Sequence, residues 1–276
     1  VATQLTYCTV NIADIYYEEI GQGTPIIMIH GYSPDHRLMK GCMEPIFNER
    51  HGWRRIYIDL PGMGLTRDYD GIKCSDDMVG AVHEFIQTVI PDQKYVIAGE
   101  SYGGYLTNGL IHKDEHNILG AAFICPVIKP NHQDRTVPEH EVLKIDENFI
   151  STLSENELED FRSNNVVLNK STWERYNNEI ISGIRVADHA FLDRVQESYG
   201  FSFEIGQSVF AKPSLFLLGK QDATVGYRDA LELEDKYPRG TFVVVDQAGH
   251  NLQIEQPGIF NALVEDWLER MGTGIC

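Results

Sequence analysis

Short apolar runs, each closed by polar turn formers, mark the first half of the chain. Residues 26–29 are an unbroken apolar run, while 9–18 and 55–59 mix apolar and polar positions over lengths suited to strands. Over 78–89 the period changes to that of a helix, with Asp76 or Asp77 as its N-cap, and 95–98 returns to a short buried strand. Strand, helix and strand in succession predict a largely parallel sheet covered on both faces.

A further strand is expected at 121–125, after which Pro126 and Pro130 interrupt the pattern and the chain turns acidic, polar and helical to about residue 210. Within that stretch Ser154 with Glu157, and Ser171 with Glu174, have the spacing of a capping box, and Asp188 stands at a third helix start. The earlier pattern then resumes: a strand at 214–218, a helix around 227–236, a strand at 241–245 and a closing helix at 258–270. The expected organisation is a core built from 1–127 and 211–276, with 128–210 inserted between its halves. No internal repeat or low-complexity tract interrupts it.

The segment richest in chemistry is Val96-Ile97-Ala98-Gly99-Glu100-Ser101-Tyr102-Gly103-Gly104, a buried strand running through Gly-x-Ser-x-Gly into a helix. Such a turn leaves the serine strained with its hydroxyl exposed, and side chains at Gly99 and Gly103 would collide with neighbouring backbone. Because a serine hydroxyl is a weak nucleophile, a base must take its proton. His250 follows the strand at 241–245 and Asp222 follows the strand at 214–218, where an acid can fix the imidazole's tautomer and stabilise its charged form. Asp246 rivals Asp222, but four residues before His250 it reads better as a loop or solvated carboxylate. Two amides are expected to stabilise an oxyanion: that of Tyr102, next to the serine, and that of Tyr32 in the loop after 26–29. His30 is read as holding that loop.

Composition narrows the partners. The 276 residues are 42% hydrophobic and 23% charged, an ordinary globular balance, and 41 Asp+Glu against 23 Lys+Arg give a formal charge of −18. That charge repels phosphate backbones and anionic lipid surfaces, so neither nucleic acid nor a membrane is expected as partner. Five scattered cysteines without a CxxC pair argue against a disulfide framework and a thiolate zinc site. Residues 1–10 have neither a basic nor an apolar leader region, and a cytoplasmic location is the expectation. His112 and His116 lack the glutamate of a His-Glu-x-x-His motif, so no metal is expected there. Trp173 and Tyr176, with Phe191 and Tyr199, are candidates for lining a substrate pocket, although aromatic residues on such helices more often pack against the core.

With these motifs in place, the chain resembles the α/β-hydrolase superfamily. The landmarks are His30-Gly31-Tyr32, Asp59-Leu60-Pro61-Gly62-Met63-Gly64, the Gly99 to Gly104 elbow, Gly219-Lys220-Gln221-Asp222 and Gly249-His250, which together span nearly the whole chain. The resemblance implies an α/β fold with an eight-stranded, mostly parallel sheet, helices on both faces, a Ser101–His250–Asp222 triad and a helical cap at 128–210. Small cap-bearing esterases and carbon-carbon bond hydrolases look most similar. Serine at the elbow disfavours the haloalkane dehalogenase and epoxide hydrolase branches, and His30-Gly31-Tyr32-Ser33-Pro34 departs from the His-Gly-Gly-Pro-Gly of proline iminopeptidases. The elbow also resembles that of serine carboxypeptidases, which are longer, secreted and disulfide-bonded.

The resulting expectation is a serine hydrolase that cleaves an ester or similar activated carbonyl of a small-molecule substrate through an acyl-enzyme on Ser101, without metal or organic cofactor. Two alternatives stay open: a carbon-carbon bond hydrolase of a diketone-type substrate, and a ligand-sensing relative with little turnover.

Overall fold

The computed structural model describes residues 5–272. Its strands are β1 (Tyr7–Val10), β2 (Ala13–Ile20), β3 (Thr24–Ile29), β4 (Trp53–Ile58), β5 (Tyr95–Glu100), β6 (Ile118–Ile124), β7 (Lys144–Ile145), β8 (Val167–Leu168), β9 (Ser214–Gly219) and β10 (Gly240–Val245). β7 and β8 pair only with each other, and the remaining eight form one sheet in the order β1-β2-β4-β3-β5-β6-β9-β10. β2 runs antiparallel to both β1 and β4, whereas every pairing from β4 across to β10 is parallel. All residues of β5 and β9 are buried, as strands covered on both faces of a parallel sheet must be.

The single strand expected at 9–18 is a hairpin. The chain turns at Asn11 and Ile12, and Val10 pairs with Ala13. Ile12 carries the period of Cys8 and Val10 into the turn before the buried phase shifts to Ala13 and Ile15, so the run reads as one strand.

The helices are α1 (His36–Phe47), α2 (Ser75–Val89), α3 (Tyr102–Asp114), α4 (Glu147–Ile150), α5 (Glu155–Asn164), α6 (Lys170–Arg175), α7 (Ser182–Ile184), α8 (His189–Gln196), α9 (Arg228–Leu231), α10 (Leu252–Glu255) and α11 (Pro257–Gly272). A π-helical stretch, Tyr176–Ile181, joins α6 to α7. Of these, α1 was not expected: Gly41 and Pro45 lie inside it, and both weaken a helical reading. Asp35 caps it through a hydrogen bond from the Arg37 amide.

Cap chemistry was legible in part. Ser154 and Glu157 form the expected capping box at α5, and Asp188 caps α8 by accepting from the Phe191 amide. At α6 the cap is Asn169, whose side chain accepts from the Thr172 amide, so Ser171 lies within the first turn and the second expected box is absent. Helix α2 starts at Ser75, which places Asp76 and Asp77 in its first turn and Cys74 at the N-cap position. The helix expected around 227–236 is divided between α9 and a 3₁₀ turn, Glu234–Lys236.

Between β6 and β9 lie α4 to α8 and the small β7–β8 pair, the segment of acidic helical character. Among the described residues no helix is long and apolar enough to cross a membrane.

Candidate active site

Ser101 occupies the one-residue step between β5 and α3. Its φ of 52° is unusual for a residue with a side chain and marks local strain. The step is over-determined by its neighbours: the Ser101 amide donates to Ile124 O at 2.9 Å, and its carbonyl accepts from the amides of Tyr105 and Val127. A Cβ on Gly99 would lie 2.2 Å from Gly103 O, and one on Gly103 would lie 2.1 Å from Ile29 O. Both positions therefore require glycine, as the sequence motif suggests.

Three side chains converge at the C-terminal ends of β5, β9 and β10. The Ser101 hydroxyl stands 2.9 Å from His250 Nε2, and His250 Nδ1 stands 2.9 Å from Asp222 Oδ2. With the proton on Nδ1, the imidazole donates to Asp222 and offers Nε2 as acceptor to the serine hydroxyl. Asp222 is fully buried, and its other oxygen accepts from the amides of Thr224 and Val225, which fixes the carboxylate. Asp246 lies apart and exposed, accepting from the Gln221 side chain.

Electrostatics shift the base strongly. Burial by itself depresses the His250 imidazole, but Asp222, by charge and hydrogen bond, and then Glu100 outweigh it and push the group up to about 9. The ordinary imidazole value near 6.5 is thus displaced toward alkaline pH.

Ser101 and His250 open into a cavity of about 330 Å³. Tyr176, Ile180, Ile184 and Tyr199 contribute to its wall from the segment between β6 and β9, and Tyr32 contributes from the loop after β3. The Tyr32 and Tyr102 amides have no hydrogen-bond acceptor among the described residues, so both remain available as donors. Their rings meet edge to face at 5.0 Å; the Tyr32 hydroxyl donates to Leu192 O, and the Tyr102 hydroxyl bonds Ser75. His30 is buried, donates from Nδ1 to Gly31 O and accepts the Leu60 amide at Nε2, a loop-holding arrangement.

Tyr176 reaches the cavity wall, but Trp173 does not. Trp173 sits behind it against Phe161, at 5.1 Å between ring centroids, so of the two expected pocket residues one faces the cavity and one packs. Phe191 packs against Tyr69 away from the wall, and the His112 ring stacks on Phe203.

Two buried carboxylates beside the His250 loop were not singled out from the sequence. Glu100 lies inside the elbow motif itself, which was the available signal; Glu255, the last residue of α10, had none. The Glu255 carboxylate accepts from the Gly249 amide at 2.6 Å and the Val166 amide at 2.5 Å, tying the His250 loop to the segment before β8.

Comparison with known proteins agrees with this architecture. A family model described as the alpha/beta hydrolase fold matches residues 24–257. The crystal structure of an alpha/beta superfamily hydrolase from Oenococcus oeni superposes with a TM-score of 0.88 at 32% identity, covering 97% of this chain and 99% of that one. Among curated relatives, the 2-hydroxy-6-oxo-6-(2'-aminophenyl)hexa-2,4-dienoic acid hydrolase of Metapseudomonas resinovorans is 24% identical over 92% of this chain and 87% of its own. The pimeloyl-[acyl-carrier protein] methyl ester esterase of Legionella pneumophila is 23% identical over 93% of this chain and 100% of its own. By the extent of the family match and the full-length likeness to these enzymes, the chain belongs to the alpha/beta hydrolase fold family and is a hydrolase.

Proposed function

We propose that the protein hydrolyses an ester, or a similarly activated carbonyl, of a small molecule through an acyl-enzyme on Ser101. The observation that carries this reading is the unbroken relay from Ser101 Oγ to His250 to the buried Asp222, set beside a cavity. In the first half-reaction Nε2 takes the hydroxyl proton as Oγ attacks the carbonyl carbon, and the Tyr32 and Tyr102 amides stabilise the oxyanion. Collapse expels the alcohol, which takes the proton from His250. Water, deprotonated by the same nitrogen, then releases the acid and regenerates Ser101. The relay itself requires no metal or organic cofactor.

Residues 128–210 serve as the cap that selects the substrate, since Tyr176, Ile180, Ile184 and Tyr199 come to the wall from that segment. The cysteines Cys8, Cys42, Cys74 and Cys125 are free thiols, which supports a reducing, cytoplasmic setting. A second reading, cleavage of a carbon-carbon bond beside a ketone, is favoured by the full-length likeness to the dienoic acid hydrolase, whose named substrate carries a 6-oxo group and no ester.

Steady-state hydrolysis of a p-nitrophenyl ester series by the wild type and Ser101→Ala tests the proposal. Turnover that depends on Ser101, with a preferred acyl length, is the expected result. Turnover unchanged in Ser101→Ala would overturn it, and a folded wild type inert on every ester would move the assignment to the carbon-carbon reading.

A further inference from the structure

The relay uses both nitrogens of His250, yet a second carboxylate also faces the ring. Glu100 Oε1 lies 3.6 Å from His250 Nε2, the nitrogen directed at Ser101, on the side opposite Asp222. Glu100 is only 2% exposed, and among the described residues His250 is its one ion-pair partner. Its other oxygen lies tight against the Tyr32 loop, 2.2 Å from where a Cβ on Gly31 would stand, and the residue shares the cavity wall with Ser101 and His250. A buried carboxylate without lysine or arginine is costly unless it is neutral or faces a cation that forms beside it.

We propose that Glu100 is a positioning residue that shares one proton with the Nε2 side of His250, and so sets the pH at which the base is free to accept the proton of Ser101. This rests on the reading of Ser101 and His250 as nucleophile and base. When the imidazole is charged, its Nε2 proton faces a carboxylate as well as the serine oxygen, and the charged form is stabilised from both ends of the ring. Removing that proton requires a higher pH than the Asp222 pair alone would require. The other groups acting on the ring do not replace Glu100. Asp222 holds the opposite nitrogen, and Arg135, from the segment after β6, disfavours the charged ring. Cys125, from the end of β6, is held as the neutral thiol by burial, and Glu255 is committed to the Gly249 and Val166 amides. Burial pushes the Glu100 carboxyl itself up to about 7, the direction expected for a group that holds a proton near neutrality. Whenever Glu100 is ionised, its charge beside the Tyr32 loop also opposes the developing oxyanion.

The test is the pH profile of kcat/KM for p-nitrophenyl acetate in wild type, Glu100→Gln and Glu100→Asp, together with an NMR titration of the His250 ring in the same three proteins. Glu100→Gln is expected to move the acid limb and the ring titration down by about one pH unit or more, and to raise kcat/KM near neutral pH by about tenfold. The shorter carboxylate of Glu100→Asp should fall between the two. A His250 titration unchanged in Glu100→Gln would overturn the inference and leave the esterase reading intact. Uniform loss of activity without a shift in either readout would make Glu100 a packing residue only. A shifted titration in a wild type that turns over no ester would keep the link between Glu100 and His250 and remove the assigned reaction instead.

Discussion

The two walls of the cavity are built on different principles. On the core side the position of Ser101 is dictated by backbone: a left-handed residue, two glycines that admit no Cβ, and strand-end hydrogen bonds to Ile124, Val127 and Tyr105. On the other side the wall comes from short helices and a π-helical turn, and the contacts are side-chain contacts: Tyr176 on Asp160, Arg175 on Glu179, Phe161 under Trp173. Backbone-defined geometry tolerates almost no substitution, whereas a side-chain wall changes shape with each replacement. The proposed function accordingly assigns the chemistry to the core wall and substrate choice to the other.

The sharpest break in that contrast is expected at Asp222. Asp222→Asn should lower kcat by about 10⁴-fold, because the amide favours the wrong tautomer of His250, while Asp246→Asn should stay within about twofold of wild type. Parallel steady-state kinetics decide it, and the reverse ranking would reassign the acid. Acidity comes next. Since His250 is pushed up to about 9 and only the neutral ring accepts a proton, kcat/KM should fall about tenfold for each pH unit below that value. A profile flat from about pH 6 to 9 would remove His250 from the role of base.

Legibility in the sequence follows the same division. A Gly-x-Ser-x-Gly turn, and an acid and a histidine each placed after an apolar strand, are local patterns, so Ser101, Asp222 and His250 could be named, and the structure brings those three together. The β1–β2 hairpin escaped because Ile12 carries the period of β1 into a two-residue turn, and α1 because Gly41 and Pro45 interrupt its period. Along 128–210, Ser154 and Asp188 were readable as caps because capping is a matter of a few residues. Which aromatic ring faces the cavity was not, because Trp173 and Tyr176 lie three residues apart and only tertiary packing turns one inward. Glu100 was visible in the motif, but its approach to His250 exists only once β5 and the loop after β10 are side by side.

Smaller effects sharpen the picture of the second wall. Ile184→Ala should change kcat/KM by about tenfold for substrates that fill that part of the cavity, mainly through KM, and leave short acyl esters little affected. Comparing acyl lengths in the two proteins reads this directly; an equal loss on every ester would mean that Ile184 supports the fold rather than selection. Ser154→Ala removes an exposed capping box and should cost about 0.5–2 kcal/mol in urea unfolding, with kcat/KM unchanged. A loss of activity there would show that the helices of this segment do more than shape the wall.

The central claim is that Ser101 is the nucleophile of a working relay, and covalent capture tests it most directly. Treating the folded protein with a fluorophosphonate ester and measuring intact mass, followed by peptide mapping, should give one adduct per chain, on Ser101, lost in Ser101→Ala and strongly slowed in Asp222→Asn. An adduct on another residue, or equal labelling of wild type and Ser101→Ala, would contradict the account.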